Sequence, residues 1–112
     1  MKATAMIFRL SFLIALLVGV GGLFHFYTMT HTMIDVHIVA GLMMLVALAW
    51  MAWDTKSPVV GIAVLLVLAG GALPLVSPAD PLTVRMFHLI IMIVAVALAE
   101  MGLAQTLRRR SS

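Results

Sequence analysis

The sequence contains no cysteine, and only 10 % of its 112 residues are charged. Without cysteine the chain cannot form a disulfide, a thiolate metal site or the Cys-x-x-Cys-His attachment of a c-type haem. Soluble domains carry roughly a quarter of their residues as Asp, Glu, Lys or Arg, so the charge content is too low for a soluble domain. These absences exclude thiol chemistry and indicate a protein that resides in lipid.

Long apolar segments take the place of the missing charges, and hydrophobic residues make up 64 % of the chain. A hydrocarbon core of about 30 Å needs about 20 apolar residues in a helix that rises about 1.5 Å per residue. Four such segments predict an all-α fold, a transmembrane up-and-down four-helix bundle, with residues 1–112 in one domain. The expected spans are Met6–Tyr27, Ile34–Trp53, Val59–Val76 and Leu82–Leu107.

The first span has an alternative interpretation as the apolar region of a secretory signal peptide, because Lys2 precedes it. Its length of about 20 residues, the presence of Arg9 near its start and the lack of a small-residue cleavage site favour a membrane span. We therefore expect four spans rather than three.

The basic residues are distributed unevenly between the two ends of the predicted bundle. Six of the seven fall at one end, and only Arg85 falls at the other. The positive-inside rule then predicts a multi-pass protein of the cell inner (cytoplasmic) membrane with both termini in the cytoplasm. The expected partner is the lipid bilayer, and no nucleic-acid recognition motif is present. The six residues are Lys2, Arg9, Lys56, Arg108, Arg109 and Arg110.

Two of the four histidines, His37 and His88, lie about one turn into the second and fourth spans, near the same face of the membrane. An ionisable residue within a span is costly and is a functional hypothesis by default. In an up-and-down bundle these two helices run parallel and lie on a diagonal. Two imidazoles at matched depth on that diagonal can ligate one metal, most economically a haem iron.

The residues one turn beyond each histidine, Gly41 and Met92, are expected to line the same site. A porphyrin held by His37 needs a missing side chain at the position below it, and Gly41 provides one. Other small residues in the first and third spans have an ordinary explanation, which is close approach of membrane helices. They are Ala15, Gly19, Gly22, Gly70 and Gly71.

Polar residues at the outer rim complete the predicted site. Arg85 lies three residues before His88, where its guanidinium can pair with a haem propionate or extend to lipid headgroups. His31 and Tyr27 are expected to hydrogen-bond propionates. His25 is expected to be a solvated anchor rather than a ligand, because it has no partner at its depth.

Three acidic residues, Asp35, Asp80 and Glu100, are expected to have structural roles. Glu100 is expected to pair with Arg9, tying the fourth helix to the first, with a proton or quinone site as the functional alternative. Asp35 is expected to cap the second helix, and Asp80 is expected to cap the fourth helix with Pro81 at its first position.

The arrangement resembles one half of the haem A synthase family, whose four-span repeat carries one haem-ligating histidine in its second span and one in its fourth. The resemblance rests on the segments MIDVHIVAGLMMLVALAW and VRMFHLIIMIVAVALAEMG, in which His37 and His88 match the ligand positions. The family's glutamate one turn before the first ligand is replaced here by Met33 or Ile34, and its cysteine pair is absent. The resemblance therefore implies haem binding without methyl-group oxidation, as in four-helix membrane cytochromes b.

The sequence thus predicts one haem b between His37 and His88, near the outer face. Two histidine ligands leave no open coordination position, which favours electron transport over catalysis. A quinone or an extracytoplasmic electron carrier is the expected redox partner, for a homo-oligomer or a subunit of a larger complex. Two alternatives remain: a copper- or zinc-handling protein that also uses His25 and His31, and a structural subunit without a cofactor.

Overall fold

Four α-helices make up most of the chain in a computed structural model, which describes residues 2–26, 28, 30–77 and 80–111. No strand occurs within those ranges. All four helices are long and apolar enough to cross a membrane. The predicted all-α four-helix bundle is confirmed, and its composition is that of a multi-pass membrane protein. The helices are α1 (Lys2–Leu23), α2 (His31–Thr55), α3 (Pro58–Val76) and α4 (Pro81–Ser111).

Helices α3 and α4 begin as their sequences predict. Pro58 and Pro81 occupy the first positions of these helices, where a missing N–H costs nothing. The hydroxyl of Ser57 accepts a hydrogen bond from the third residue of α3, and the Asp80 carboxylate accepts one from Thr83 N at 3.2 Å. The predicted capping of α4 by Asp80 is therefore confirmed.

Helix α2 begins differently from the prediction. Thr30 is its N-cap, and the Thr30 hydroxyl accepts a hydrogen bond from Met33 N at 3.2 Å. Asp35 lies inside the helix and is exposed, so the expectation that Asp35 caps α2 is wrong. The cap must precede the first helical residue, and α2 begins three residues earlier than the apolar run.

The first predicted span, Met6–Tyr27, lies four residues too far along the chain, because α1 covers Lys2–Leu23. The helix is closed by His25, which has a left-handed φ of 58°. The N–H of Phe26 then donates to the Gly21 carbonyl at 2.9 Å, as in the common glycine-type helix ending. Apolar residues continue past this point, so hydropathy alone does not mark the end of α1.

The helices pack as two antiparallel hairpins, α1 on α2 and α3 on α4, which are joined mainly by α2 against α3. Helices α2 and α4 also contact each other directly. The main buried cluster lies toward the end that holds the start of α1 and the end of α2, and it contains the largest fully buried side chains. These are Phe8, Leu48, Met51 and Val60.

An ion pair joins α1 to α4 in the same half of the bundle. Arg9 Nε lies 2.7 Å from Glu100 Oε1, and Arg9 Nη2 lies 2.8 Å from Glu100 Oε2. The predicted pairing of these two residues is confirmed, with the bidentate geometry that favours arginine over lysine.

Candidate functional site

The half of the bundle opposite the buried cluster holds the two histidines of α2 and α4. The ring centroids of His37 and His88 lie 6.2 Å apart, and the ring planes are inclined by 63°. Both side chains are partly buried. Each histidine lies about two turns from the start of its helix, so the matched depth follows from two helices that begin at the same end of the bundle. Their role as ligands stays a prediction.

His37 is held by the backbone of α1. Its Nδ1 lies 2.9 Å from the carbonyl oxygen of Ala15. A carbonyl can only accept, so this contact assigns a proton to Nδ1, and in the neutral ring the lone pair is then on Nε2. Gly19 lies against the imidazole, and a Cβ there would be 3.0 Å from His37 Cε1. The glycine therefore makes room for the ring beside its acceptor.

His88 is held in the same way by α3. Its Nδ1 lies 2.7 Å from the carbonyl oxygen of Gly70, which again assigns the proton to Nδ1. A Cβ at Gly70 would lie 2.8 Å from Ile91 Cγ2, so only glycine permits this approach of α3 and α4. Met92, predicted to line the site, places its Cε 3.4 Å from the same Cβ position. Met92 thus packs beside Gly70, the residue whose carbonyl accepts the hydrogen bond from His88.

The two backbone contacts, from His37 to the Ala15 carbonyl and from His88 to the Gly70 carbonyl, place a proton on Nδ1 in both imidazoles. We call these two carbonyls the anchors of the histidines. Each imidazole uses Nδ1 for the backbone carbonyl of the neighbouring helix, and Nε2 is its second ring nitrogen; in His37 this nitrogen also lies near α1, 3.9 Å from the Cβ position of Gly19. Within the part of the chain that the structure describes, neither Nε2 has a hydrogen-bond partner. Metal-ligating histidines usually donate their second ring N–H to a carbonyl or carboxylate in this manner. In the neutral form of each ring, Nε2 is then the nitrogen with a free lone pair.

Gly41 lies one turn beyond His37 on α2. A Cβ built at this position meets no atom within 4 Å, in contrast to the tight surroundings of Gly19 and Gly70. Packing within the chain therefore gives no reason for a glycine here, although glycine in a helix costs about 1 kcal/mol relative to alanine. This openness is compatible with the predicted role of Gly41 beside a bound macrocycle.

The predicted rim residues lie at the histidine end of the bundle with their side chains exposed. Arg85 precedes His88 by nearly one turn, and His31 is the first residue of α2. His25 follows the last residue of α1, and its side chain is exposed. Tyr27 lies outside the described residues.

The four histidines do not gather into one cluster. Within residues 2–26, 28, 30–77 and 80–111, no group of three or more His, Cys, Asp or Glu side chains is placed to hold a metal ion. The copper or zinc alternative, which adds His25 and His31 to the pair, gains no support from the geometry.

The backbone acceptors of both histidines are absent from the sequence prediction. Helix packing is the ordinary explanation expected for the small residues of α1 and α3, whereas Ala15 and Gly70 supply carbonyl oxygens and Gly19 accommodates a ring. Small residues at histidine depth on the neighbouring helices were the available signal, because a short side chain leaves the helix backbone accessible.

Comparison of the chain with protein-family models, with curated proteins and with solved structures finds no match.

Proposed function

We propose that this protein binds one haem b through His37 and His88 and transfers single electrons within the membrane. The observation that carries the proposal is the pair of imidazoles with 6.2 Å between ring centroids and both Nδ1 atoms bonded to backbone carbonyls. Histidine–metal bonds of about 2 Å on both sides place the centroids of two opposed imidazoles about 6 Å apart. The separation of the rings fits ligation of one iron.

The donor set also fits this function. Haem iron would supply the one-electron chemistry, and with His37 and His88 as its two protein ligands it would bind oxygen poorly. His37 and His88 hold their Nε2 atoms in fixed directions through the anchors on α1 and α3. Both side chains are partly buried among apolar helices. Arg85 and His31, exposed at the same end, are available to carboxylate groups of a cofactor.

The proposal includes a position in the membrane. The bias of basic residues supports a cytoplasmic position for both termini in an inner membrane, with the histidine pair toward the opposite face. Lys56 Nζ lies 3.7 Å from the centre of the Trp53 ring. Tryptophan and lysine are typical of the membrane–water interface, so this contact supports an interface at this end of the bundle. The redox partners that suit this position are a quinol and an extracytoplasmic electron carrier. The protein would act either as a homo-oligomer or as a subunit of a larger complex.

An absorption spectrum of the protein purified from haem-replete membranes tests this function. We expect sharp visible bands that shift and intensify on reduction with dithionite, and a pyridine haemochrome assay that gives about one haem b per chain. A colourless protein would contradict the proposal. Elemental analysis of the same sample would then separate the copper or zinc alternative from a structural subunit without a cofactor.

We predict that Gly41→Leu depletes haem without unfolding the protein. The chain leaves open space at this position, whereas a bound porphyrin would meet the new side chain. Overpacking costs about 1–3 kcal/mol, which corresponds to about a 5- to 150-fold loss of haem affinity. Haem titration and a denaturation curve measure the two effects. Gly61→Leu is the matched control, because Gly61 has equally open surroundings far from the histidines. Equal haem affinity in both variants would place the macrocycle elsewhere.

We predict that Arg85→Leu lowers the haem midpoint potential by about 40 mV, which is about 1 kcal/mol for one electron. The reduced iron carries one positive charge fewer than the oxidised iron, so a nearby cation favours reduction and its removal favours oxidation. Exposure of Arg85 to the interface limits the size of the effect. Potentiometric titration measures it, with Arg108→Leu at the opposite end as the control. An unchanged potential in Arg85→Leu would make this residue a headgroup anchor.

A further inference from the structure

The interior of α3 contains a proline, Pro74. Proline has no N–H and cannot donate the hydrogen bond that a helix directs to the carbonyl four residues earlier. In α3 that carbonyl belongs to Gly70. A carbonyl without a partner is costly in lipid, so membrane helices that contain proline satisfy the freed group from elsewhere.

His88 satisfies the freed carbonyl. Its Nδ1 lies 2.7 Å from the Gly70 oxygen, so the imidazole takes the place of the N–H that Pro74 lacks. His37 has a different kind of acceptor, because the residue four positions after Ala15 is Gly19, which carries an N–H within the unbroken helix α1. The Ala15 oxygen is therefore available to two donors, and its distance to His37 Nδ1 is longer, at 2.9 Å.

We propose that Pro74 is a positioning residue for the iron ligand His88, an inference that rests on the proposed haem function. By freeing the Gly70 carbonyl, Pro74 holds His88 in the Nδ1–H form and directs the Nε2 lone pair toward the ligand site. A hydrogen bond at the second ring nitrogen raises the basicity of a metal-bound histidine. His88 does not share its acceptor carbonyl with a helical N–H, so we expect His88 to be the more basic of the two metal ligands.

Tautomer measurement on the cofactor-free, full-length protein in lipid nanodiscs tests the positioning directly. In ¹⁵N-histidine-labelled protein, long-range ¹H–¹⁵N correlations report which ring nitrogen of each histidine carries the proton. We expect His88 to be almost entirely Nδ1–H in the wild type. Pro74→Ala gives the Gly70 oxygen a second donor, as the Ala15 oxygen has, so the hydrogen bond from His88 should weaken and its Nδ1–H to Nε2–H ratio should fall about fivefold. His37 should not change.

Pro58→Ala is the matched control, since Pro58 is the first residue of the same helix and frees no interior carbonyl. The inference is overturned if His88 keeps its tautomer ratio in Pro74→Ala, or if Pro58→Ala changes it equally. Pro74→Ala restores a helical hydrogen bond, and far-UV circular dichroism verifies that it folds.

Titration with ferric haem separates this inference from the proposed function. We expect Pro74→Ala to weaken haem binding about tenfold relative to the wild type and Pro58→Ala, the size typical of losing a partner of a metal ligand. If no variant binds haem, the proposed function fails, and the tautomer ratio still decides whether Pro74 sets the state of His88. If all three bind haem equally and the tautomer is unchanged, the function stands and the positioning role is wrong.

Discussion

Replacement of either His37 or His88 by alanine should abolish haem binding. Each variant leaves one imidazole, and neither helix offers a second nitrogen donor at that depth, because His25 and His31 are exposed at the rim. We expect more than about 90 % of the haem to be lost during purification, with any remainder converted from a low-spin to a high-spin spectrum. The ratio of haem to protein absorbance in freshly isolated samples measures this.

The control substitutions follow from the backbone conformation at the rim. His25 has a left-handed φ of 58°, a conformation that alanine adopts poorly and asparagine tolerates, so His25→Asn is the appropriate control rather than His25→Ala. This variant should retain its haem and its low-spin spectrum. Full haem occupancy with an unchanged spectrum in His37→Ala or His88→Ala would end the assignment of the axial pair.

The fold could be predicted from the sequence because lipid imposes a simple requirement. A span must be about 20 residues long and satisfy its backbone groups internally, so apolar length and capping residues locate most helix ends. The error in α1 has a physical cause. Phe24 and Phe26 extend the apolar run, but His25 takes a left-handed conformation that ends the helix. Hydropathy does not record that change in backbone direction.

The candidate site could be predicted only in part. The helical rise predicts that His37 and His88 lie at similar depth, and the distance of 6.2 Å between their ring centroids agrees with that expectation. Their anchors depend on how each helix is rotated about its axis, which the sequence does not specify for nearly uniform apolar helices. One anchor did leave a signal, because Pro74 follows Gly70 by four residues and must free its carbonyl. The other anchor, Ala15, is followed four residues later by Gly19. Two small residues at this spacing are a common packing pattern of membrane helices, so they do not by themselves indicate an acceptor for a histidine.

The Arg9–Glu100 pair allows a second large effect to be predicted, at the opposite end of the bundle from the histidines. Its two hydrogen bonds, at 2.7 and 2.8 Å, join α1 to α4 inside the predicted spans. A charge inside a span is tolerated when it is paired, and removal of one member leaves the other charge in lipid. The loss of one partner is therefore expected to cost more than the loss of both.

Glu100→Ala should lower the free energy of unfolding by about 2–3 kcal/mol, and Arg9→Leu combined with Glu100→Leu should recover most of that loss. Reversible unfolding in mixed detergent micelles measures both, and haem occupancy should stay unchanged because the pair is remote from His37 and His88. The Asp54–Arg110 pair, at 3.5 Å and beyond the predicted spans, is the control. Its disruption should cost less than about 1 kcal/mol, as for exposed ion pairs. Wild-type stability in Glu100→Ala would contradict a structural role for the Arg9–Glu100 pair. If that stable variant lost haem or were reduced more slowly by quinol, the result would support the alternative, a proton or quinone site at Glu100.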